Sequence, residues 1–348
     1  MILNQGDTIG ILGGGQLAQF LIIAAAKLGF KTVVFDQREK SPAFMLATEY
    51  ICSAFSNKKA LEKFSKMCTV ITYEFENIPL SAIDTICDNC EVFPNREALR
   101  VGQDRFLEKN FAHKLGIKVP AYSNITDRKS LIRFLINNNQ CGLLKTRTCG
   151  YDGKGQMLVH GQNIKSEALR MIETQECIVE EFVEFESELS IIAARGFTGA
   201  VNTYDPSINF HQDGILIRSK VPAPINQDIQ LELALEAGRI LTSLNYIGVI
   251  GIEFFLTKNG LLFNEFAPRV HNSGHWTLDG CLINQFEQHI RAISGWSLGS
   301  TKRHSDIAMT NIIGNAIDDR ISEGKSIYNY GKDEVLQGRK MGHVNEII

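Results

Sequence analysis

Residues 249–280, VIGIEFFLTKNGLLFNEFAPRVHNSGHWTLDG, decide the fold of this chain. Val249–Leu256 and Leu261–Phe266 are apolar runs rich in β-branched and aromatic residues, a composition typical of strands. The four residues between them, 257–260, include Asn-Gly, which favours a tight hairpin turn. The stretch therefore predicts a β-hairpin with one acidic side chain in each strand.

The two acids, Glu253 and Glu265, meet in only one of two hairpin registers. A two-residue turn at Asn-Gly pairs Lys258 with Leu261 and places the acids on opposite faces of the hairpin. A three-residue loop that ends in a left-handed Gly260 sets the acids directly across from each other. That second register also pairs Thr257 with Leu261 and Phe255 with Phe263.

Opposed carboxylates destabilise a hairpin, so the second register requires a cation between the acids. Oxygen ligands without histidine or cysteine suit Mg²⁺ or Mn²⁺. A surface hairpin with two solvated acids is the alternative, and it stays open at this point. Cationic and amide side chains next to an acidic cation site are what phosphoryl transfer requires. Such side chains follow the second strand: Asn264, Arg269, His271, Asn272, Ser273 and His275.

Length and composition exclude several classes of protein. A chain of 348 residues, 44% hydrophobic and 22% charged, is expected to form two or three globular domains. Its net charge of −3 gives no basic excess, so nucleic acid is not an expected partner. No stretch approaches the ~18 apolar residues of a membrane span, and the N-terminus has no signal-peptide pattern. Together with eight scattered cysteines, expected as reduced thiols, these features predict a cytoplasmic enzyme.

The N-terminal residues predict a strand–turn–helix unit. A strand over Thr8–Leu12 precedes three glycines, and a helix over Gln16–Leu28 follows them. The spacing G-x-G-x-x-A begins at Gly13, and the next strand ends at the acid Asp36. Taken literally, this pattern predicts a dinucleotide site. The same spacing arises wherever a βαβ unit needs a tight turn, and both interpretations remain open.

A further strand from Val70 leads into the polar segment YEFENIP. Glu74 and Asn77 of that segment lie at the carboxyl end of a parallel strand, where ligands bind in open α/β sheets. A solvated loop is the equally weighted alternative. We predict that Glu91–Pro94 is the last strand of this unit, so that the first domain ends near residue 100.

A second glycine-rich segment follows a predicted strand that ends in a lysine, Gly142–Lys145. The N–H groups of its glycines, at 150, 153 and 155, can cradle phosphate, and the lysine supplies a charge for the same phosphates. The segment is not a Walker loop, because the G-K-[ST] ending is missing. The predicted helix before it, Asp104–Leu115, carries Arg105 near its start.

Later segments complete the pattern. Cys177–Val183 is predicted as a buried strand that turns acidic at its end, and Ile283–Ile293 as a helix with glutamines and His289 on a polar face. The residues from 330 to 343 are predicted as a polar, basic tail that includes Lys332 and Arg339.

Taken together, these motifs resemble the ATP-grasp superfamily, in which a lysine-bearing strand, a glycine loop, an acidic connection and a diacid hairpin with N-E-x-x-P-R occur in this order. The closer resemblance is to the 5-(carboxyamino)imidazole ribonucleotide synthase family of purine synthesis, and it covers essentially the whole chain. It is carried by YEFENIP, GYDGKGQ, HQDGI, NEFAPRVHNSGHWT and GRKMGH, which start at residues 73, 150, 211, 264 and 338.

The resemblance implies an α/β and α+β ATP-grasp fold, with ATP between two α+β lobes. The implied domains are a Rossmann-like domain without a dinucleotide (1–100), a small lobe with a glycine-rich lid (101–185), and a large lobe with the C-terminal segment (186–348). The implied reaction carboxylates 5-aminoimidazole ribonucleotide with ATP and bicarbonate, through carboxyphosphate. It uses Mg²⁺ or Mn²⁺ and no biotin, and the family tends to be dimeric.

The resemblance also implies roles for residues of this chain. Glu180–Val183 matches the adenine hinge and Glu188 the ribose carboxylate. The residues that match the ATP site are Arg105, Lys145, Gly150, Tyr151, Asp152, Gly153, Lys154, Gly155, Gln156, Glu180, Glu181, Phe182, Val183, Glu188, His211, Asn264 and Glu265. Those that match catalytic residues are Tyr151, Asp152, Arg269 and His271, and Glu253 and Glu265 match the metal ligands. Those that match the ribonucleotide and bicarbonate region are Gln16, Glu74, Asn77, Lys154, Asn272, Ser273, Lys332 and Arg339.

Three other functions compete with this interpretation. Another ATP-grasp ribonucleotide ligase, such as a formate-using enzyme, would share the nucleotide site but lack the HNSGHW and GRKMGH motifs. An NAD-dependent oxidoreductase would explain the first glycine turn alone, and a non-catalytic nucleotide-binding module would have lost a metal ligand. The chain departs from the family pattern at Cys149, where many relatives have glycine. It also stops at Ile348, soon after GRKMGH, where relatives are expected to continue, so that the tail is either missing from this sequence or naturally short.

Overall fold

The structure is a computed structural model that describes residues 2–150, 153–161, 164–314 and 323–348. Two predicted catalytic residues, Tyr151 and Asp152, therefore lie outside the described residues. Three β-sheets organise the chain, each with helices packed against it.

The N-terminal sheet is parallel, with strand order β3-β2-β1-β4. Its apolar strands are buried, as expected for a sheet with helices on its faces. Its strands are β1 (Thr8–Leu12), β2 (Lys31–Asp36), β3 (Glu49–Cys52) and β4 (Val70–Tyr73), and its helices are α1 (Gln16–Lys27), α2 (Lys58–Lys66), α3 (Leu80–Cys87) and α4 (Arg96–Gly102). The predicted strand Glu91–Pro94 is wrong, because only an isolated bridge from Val92 to Ile71 forms there.

A smaller antiparallel sheet, in the order β5-β8-β6-β7, carries the lysine strand and the glycine loop. Its strands are β5 (Tyr122–Ile125), β6 (Cys141–Thr146), β7 (Gln156–His160) and β8 (Cys177–Glu180). Its helices are α5 (Arg105–Lys114), α6 (Arg128–Asn137) and α7 (Ser166–Thr174). The carboxylate of Asp104 caps α5 by accepting from the N–H groups of Phe106 and Leu107, so α5 begins at Arg105.

The large sheet follows the order β14-β13-β9-β11-β12-β15-β17-β16, with β10 paired to β9. Its strands are β9 (Ser187–Arg195), β10 (Val201–Thr203), β11 (Ser207–Gln212), β12 (Ile215–Val221), β13 (Gly248–Thr257), β14 (Gly260–Ala267), β15 (Ile307–Ile313), β16 (Ser326–Asn329) and β17 (Lys340–Ile347). Its helices are α8 (Gln227–Ser243), α9 (Thr277–Gly280) and α10 (Gln285–Ile293). The domain limits at residues 100 and 185 stay predictions.

The hairpin β13–β14 brings Glu253 directly across from Glu265, as the second register predicted. The predicted route to that pairing is wrong. Thr257 pairs with Gly260 rather than with Leu261, and Phe254, rather than Phe255, lies across from Phe263. A register shift between Phe254 and Glu253 then restores the opposed acids. A β-bulge, and not the loop, therefore sets the acidic pair.

One other expectation was wrong because tertiary packing buries polar groups. Gln285, Gln288 and His289 of α10 are fully buried rather than on a solvated face. Their polar atoms have partners inside the protein; His289, for example, contacts the hydroxyl of Thr72 at 2.8 Å and accepts from the N–H of Val249. The segment predicted as a polar, basic tail joins the large sheet only at its end, since 340–343 lie in β17, which pairs with β15 and β16, whereas 333–337 are exposed.

Candidate active site

A cavity of about 730 Å³ lies where the first domain, the glycine loop, the end of β14 and the C-terminal segment meet. A volume of this size suits a small-molecule site. Many of the residues singled out from the sequence line it: Gln16, Glu74, Asn77, Arg105, Gly150, Lys154, Glu265, Arg269, His271, Asn272, Lys332 and Arg339.

The first glycine turn meets this cavity but is closed by the protein's own carboxylates. The N–H of Gly14 donates to Asp36 Oδ2 at 2.6 Å, and the N–H of Gly15 donates to Glu74 Oε1 at 2.9 Å. A Cβ at Gly15 would lie only 2.8 Å from Glu74 Oε1. Two N–H groups that would bind a pyrophosphate are thus already used. The geometry supports the tight-turn interpretation and not the dinucleotide site.

The opposed acids Glu253 and Glu265 differ in protonation. Burial, and then the charge of Glu265, raise the pKa of Glu253 to about 7. Burial alone would raise the pKa of Glu265 too, but the charges of Arg105, Lys145 and Lys109 together outweigh it and lower that pKa to about 2. Arg105 Nη1 donates to Glu265 Oε2 at 2.5 Å. Without a cation between them, only Glu265 is therefore fully ionised at neutral pH. A bound cation would favour ionisation of Glu253 as well.

Histidines surround Glu253. His271 Nε2 lies 3.9 Å from Glu253 Oε1, and His211 contacts the carboxylate of Glu188. Burial, followed by the charge of Arg269, lowers the pKa of His271 to about 3, so its ring is neutral at pH 7. Its Nδ1 lies 2.8 Å from the Ser273 hydroxyl and accepts from the Ser273 N–H at 3.4 Å. The remaining proton is thereby assigned to Nε2, which faces Glu253.

A second buried charge cluster lies beside Arg105. Lys145 Nζ donates to Glu180 Oε2 at 2.9 Å, and Lys109 Nζ lies 3.4 Å from the same oxygen. Burial raises the pKa of Glu180, but the charges of Lys109 and Lys145 overcome this and bring it to about 2. This carboxylate therefore holds the side chains of both lysines in place beside the glycine-loop strands.

The loop after β14 is held rigidly around Arg269. Its guanidinium pairs with the carboxylate of Glu76 and donates to the carbonyl of Val270. The side-chain amide of Gln285 accepts from the N–H of His271 at 2.9 Å and donates to the carbonyl of the same residue at 2.7 Å. Asn272 exchanges two side-chain hydrogen bonds with Asn311. These contacts fix a cation and a neutral imidazole next to the acidic pair.

A further part of the cavity lining is basic. Lys332, Arg339 and Lys340 line it. Burial, and then the charge of Arg339, lower the pKa of Lys332 to about 8. The ammonium of Lys332 donates to the carbonyl of Lys340 at 2.7 Å and lies 5.4 Å from the ring centre of Tyr330. Such a lining suits an anion, phosphate above all.

Other predicted site residues lie outside the cavity lining. Strand β8 ends at Glu180 rather than at Val183, and Phe182 is 49% exposed. Glu181 instead bonds to the backbone of Ala121. The other described residues that were predicted for the site but do not line the cavity are Lys145, Gly153, Gly155, Gln156, Glu180, Glu188, His211, Glu253, Asn264 and Ser273.

Sequence reasoning missed several residues of this site. Glu76, Glu108 and Lys340 line the cavity, whereas Lys109 and Gln285 are buried behind it. One signal was available, since Glu108 and Lys109 follow Arg105 by three and four residues and so share its helix face. Glu76 and Gln285 pair with residues far away in the chain, and the sequence carries no local sign of that.

Comparisons with known families agree with this geometry. The ribonucleotide synthetase preATP-grasp domain matches residues 7–103, the ATP-grasp domain matches residues 110–286, and the phosphoribosylaminoimidazole carboxylase C-terminal domain matches residues 307–347. The family models thus account for the first domain, both halves of the cavity and the basic C-terminal segment.

Individual relatives match over nearly the full chain. An N5-carboxyaminoimidazole ribonucleotide synthase of Brucella melitensis is 44% identical, over 99% of this chain and 97% of its own length. The crystal structure of a Staphylococcus aureus N5-carboxyaminoimidazole synthetase with ADP superposes with a TM-score of 0.95, at 33% identity, and covers 99% of this chain and 94% of that one. An Aspergillus clavatus N5-carboxyaminoimidazole synthase with ADP and 5-aminoimidazole ribonucleotide gives 0.91, at 27% identity and the same coverages. The chain therefore belongs to the N5-carboxyaminoimidazole ribonucleotide synthase family of ATP-grasp ligases.

Proposed function

We propose that this ligase carboxylates the amine of 5-aminoimidazole ribonucleotide, with ATP as the energy source, bicarbonate as the carbon source and carboxyphosphate as the intermediate. The observation that carries the proposal is one cavity whose lining includes Glu265 of the acidic pair, the cations Arg105 and Arg269, and the basic side chains of Lys332 and Arg339. Relatives solved with ADP, and with ADP and 5-aminoimidazole ribonucleotide, support the choice of ligands.

The phosphates of ATP would lie near Arg105 and Lys145, under the loop that begins at Gly150. Arg105 joins the loop to the acidic pair, because its Nη2 donates to the carbonyl of Gly150 at 3.3 Å while its Nη1 holds Glu265. Backbone N–H groups and fixed cations stabilise phosphate without reorganisation. The hinge role of Glu180–Val183 and the ribose role of Glu188 remain proposals from the resemblance.

The acidic pair fits Mg²⁺ or Mn²⁺. Both groups are carboxylates, they oppose each other, and burial and the charge of Glu265 raise the pKa of Glu253, so a positive charge between them would favour ionisation of both. Mg²⁺ is commonly held by one or two carboxylates with substrate phosphates completing its shell. When bound, the ion would neutralise the phosphate charge that grows during transfer.

In the first step, an oxygen of bicarbonate attacks the γ-phosphorus, the bond to the ADP oxygen breaks, and carboxyphosphate forms. Arg269 stabilises the developing negative charge, and its pairing with Glu76 keeps the guanidinium directed at the cavity. The Nε2 of the neutral His271 faces Glu253, 3.9 Å away. Breakdown of carboxyphosphate gives CO₂ and phosphate; the ribonucleotide amine attacks CO₂, and the released phosphate accepts the proton.

The ribonucleotide would span the cavity from Lys332 and Arg339, which hold its phosphate, to Gln16, Glu74 and Asn77 of the first domain. Asn272 and Ser273 would position bicarbonate, together with Lys154 from the loop. Tyr151 and Asp152 stay predicted catalytic residues on the strength of the resemblance. The loop would exclude water from carboxyphosphate when it closes.

The test is phosphate release from MgATP at controlled bicarbonate, with and without 5-aminoimidazole ribonucleotide. We expect strong stimulation by the ribonucleotide and labelled bicarbonate in an acid-labile product. Hydrolysis that ignores the ribonucleotide would transfer the assignment to another ATP-grasp ligase. Saturable NADH fluorescence without ATP turnover would favour the oxidoreductase instead.

The metal assignment has its own variant. Glu265→Gln keeps the size of the side chain and removes its charge, so we expect phosphate release to fall by about 100-fold or more. Glu97→Gln, in an exposed ion pair with Arg100, is the matched control and should keep normal turnover. Near-normal turnover of Glu265→Gln would contradict the metal site.

We also propose a cytoplasmic location and a homodimer, which the resemblance alone supports. In the described part of the chain, no helix combines the length and apolar character needed to cross a membrane.

A further inference from the structure

Strand β14 is the outer strand of the large sheet, and α5 covers its free edge. Three charged residues of α5 face this edge: Arg105, Glu108 and Lys109. Their spacing of three and four residues puts them on one side of the helix. Arg105 binds the side chain of Glu265, as described above. The other two bind the backbone of β14 instead.

The backbone contacts bracket the β-bulge. Lys109 Nζ donates to the carbonyl of Asn264 at 2.5 Å and to that of Phe263 at 3.3 Å. Glu108 Oε1 accepts from the N–H of Phe266 at 2.6 Å. Glu108 and Lys109 are both buried, at 2% and 1% exposure. Two buried side chains of α5 thus bind the backbone of the strand on either side of Glu265.

The bulge decides which face of the hairpin Glu265 occupies. Up to Phe263 the pairing follows the register of Thr257 with Gly260, and an unbroken ladder would place Asn264 across from Glu253. Glu265 would then share the face of Phe254 and Phe263, which is the buried apolar side. The extra residue at the bulge turns Glu265 to the cavity and returns Phe266 to the core.

We propose that Glu108 and Lys109 are positioning residues for the cation site, and that they hold the bulge that sets Glu265 across from Glu253. The proposal rests on the function proposed above, because it takes the acidic pair as the metal site. A bulge relaxes to the regular ladder unless its freed backbone groups have other partners. Glu108 and Lys109 supply such partners from outside the sheet, where no strand can.

A competing explanation is that these contacts only protect the edge of the sheet. The carbonyl of Lys118 accepts from the N–H of Phe263 and serves that purpose. The two explanations predict different consequences when the contacts of Glu108 and Lys109 with β14 are removed. Edge protection alone predicts a loss of stability that leaves metal affinity unchanged, whereas a positioning role predicts a loss of metal affinity in the folded protein.

Glu108 provides the sharper test, because Lys109 also pairs with Glu180. Glu108→Gln keeps an oxygen that can accept from the N–H of Phe266, and Glu108→Leu removes it. Lys114→Met, at an exposed position of the same helix, is the control. Two quantities are measured on the full-length protein: hydrogen exchange of residues 261–267 without metal, and the Kd for Mn²⁺ alone from the spectroscopic signal of free Mn²⁺.

We expect Glu108→Leu to accelerate exchange at Phe266 and its neighbours and to weaken Mn²⁺ binding by about 10- to 100-fold, the range for groups that support a metal ligand. Glu108→Gln should stay within about twofold of the parent protein in both quantities. Lys109→Met should follow Glu108→Leu in exchange at residues 263–264.

Normal Mn²⁺ affinity in a folded Glu108→Leu protein would overturn the proposal, and so would equal losses in Glu108→Gln and Glu108→Leu. Failure of the proposed function looks different. In that case Glu265→Gln itself would leave the Mn²⁺ Kd unchanged, while exchange at Phe266 would still respond to Glu108→Leu.

Discussion

The chain has two glycine-rich turns that look alike in sequence and differ in the side chains that bond to their backbone. At the first turn, Gly14 and Gly15 donate to Asp36 and Glu74, which stand at the carboxyl ends of β2 and β4, the strands on either side of β1. At the second, the carbonyl of Gly150 accepts from Arg105, a cation that faces the cavity. Glycine spacing therefore shows where a backbone can turn closely. The side chains around it decide whether a phosphate can enter.

Each turn also has its own arginine–carboxylate pair. Arg38 pairs with Asp36 at 2.7 Å beside the first turn, and Arg105 pairs with Glu265 at 2.5 Å beside the second. The Arg38–Asp36 pair keeps a carboxylate bonded to the first turn. The Arg105–Glu265 pair places a cation beside the second turn and a carboxylate in the proposed metal site. Exchanging either arginine for a neutral residue should separate the two roles.

The largest effect is expected for Arg105→Met. The variant removes a fixed cation from the phosphates and leaves Glu265 without its partner, so we expect kcat/KM for ATP to fall by about 100-fold or more. Steady-state kinetics with MgATP as the varied substrate measures it. Arg38→Met is the matched control and should keep the KM for ATP within about twofold, because its partner serves the closed turn. Similar losses in both variants would erase the distinction between the turns.

A smaller effect, on stability, is expected from added methyl groups. A Cβ at Gly14 would lie 2.6 Å from Ser41 Cβ, which is buried, and overpacking of this kind costs about 1–3 kcal/mol. Gly150→Ala meets its nearest atom at 3.2 Å, in a loop at the cavity, and should cost less than about 0.5 kcal/mol. Thermal melting should therefore show a lower Tm for Gly14→Ala than for Gly150→Ala. The reverse order would mean that the second turn is the more tightly packed one.

The sequence predicted those parts of the molecule that depend on neighbours along the chain. Strand β1, helix α1 and the lysine of β6 were placed correctly, because periodicity and glycine signals are local. The hairpin shows the limit. The opposed acids were predicted, but the loop and the partner of Phe263 were wrong, because a β-bulge has no signature in the local sequence. The backbone beside it bonds to Lys109 and Glu108 of α5, more than 150 residues earlier.

Burial of polar groups was equally hidden. Gln285 and His289 look like solvent-facing residues of an amphipathic helix, and only the folded chain supplies His271, Thr72 and Val249 as their partners. The closed glycine turn has the same cause, since Glu74 reaches Gly15 across 59 residues of chain. Patterns of single residues cannot state which distant side chain will satisfy a backbone group.

The smallest expected effect concerns pH at the proposed ribonucleotide site, beside the closed turn. The pKa of Lys332 is lowered to about 8 by burial and by the charge of Arg339, while Glu74 acts in the opposite direction. Below pH 8 the ammonium is charged in the free enzyme and can hold a phosphate. Above pH 8 the free enzyme loses this proton, and binding of the phosphate must recover it.

We therefore expect the KM for 5-aminoimidazole ribonucleotide to be flat below about pH 8 and to rise above it, by up to about tenfold per pH unit. Steady-state kinetics between pH 6.5 and pH 9.5, at saturating ATP, measures this rise. Lys332→Arg keeps its charge over the whole range and should abolish the rise. The KM for ATP serves as the internal control, because we assign Lys332 to the ribonucleotide and Arg105 to the nucleotide. A parallel rise in both constants would assign the titration to a group that acts on both substrates. The closed turn would then be part of the nucleotide site, contrary to the difference drawn between the two glycine turns.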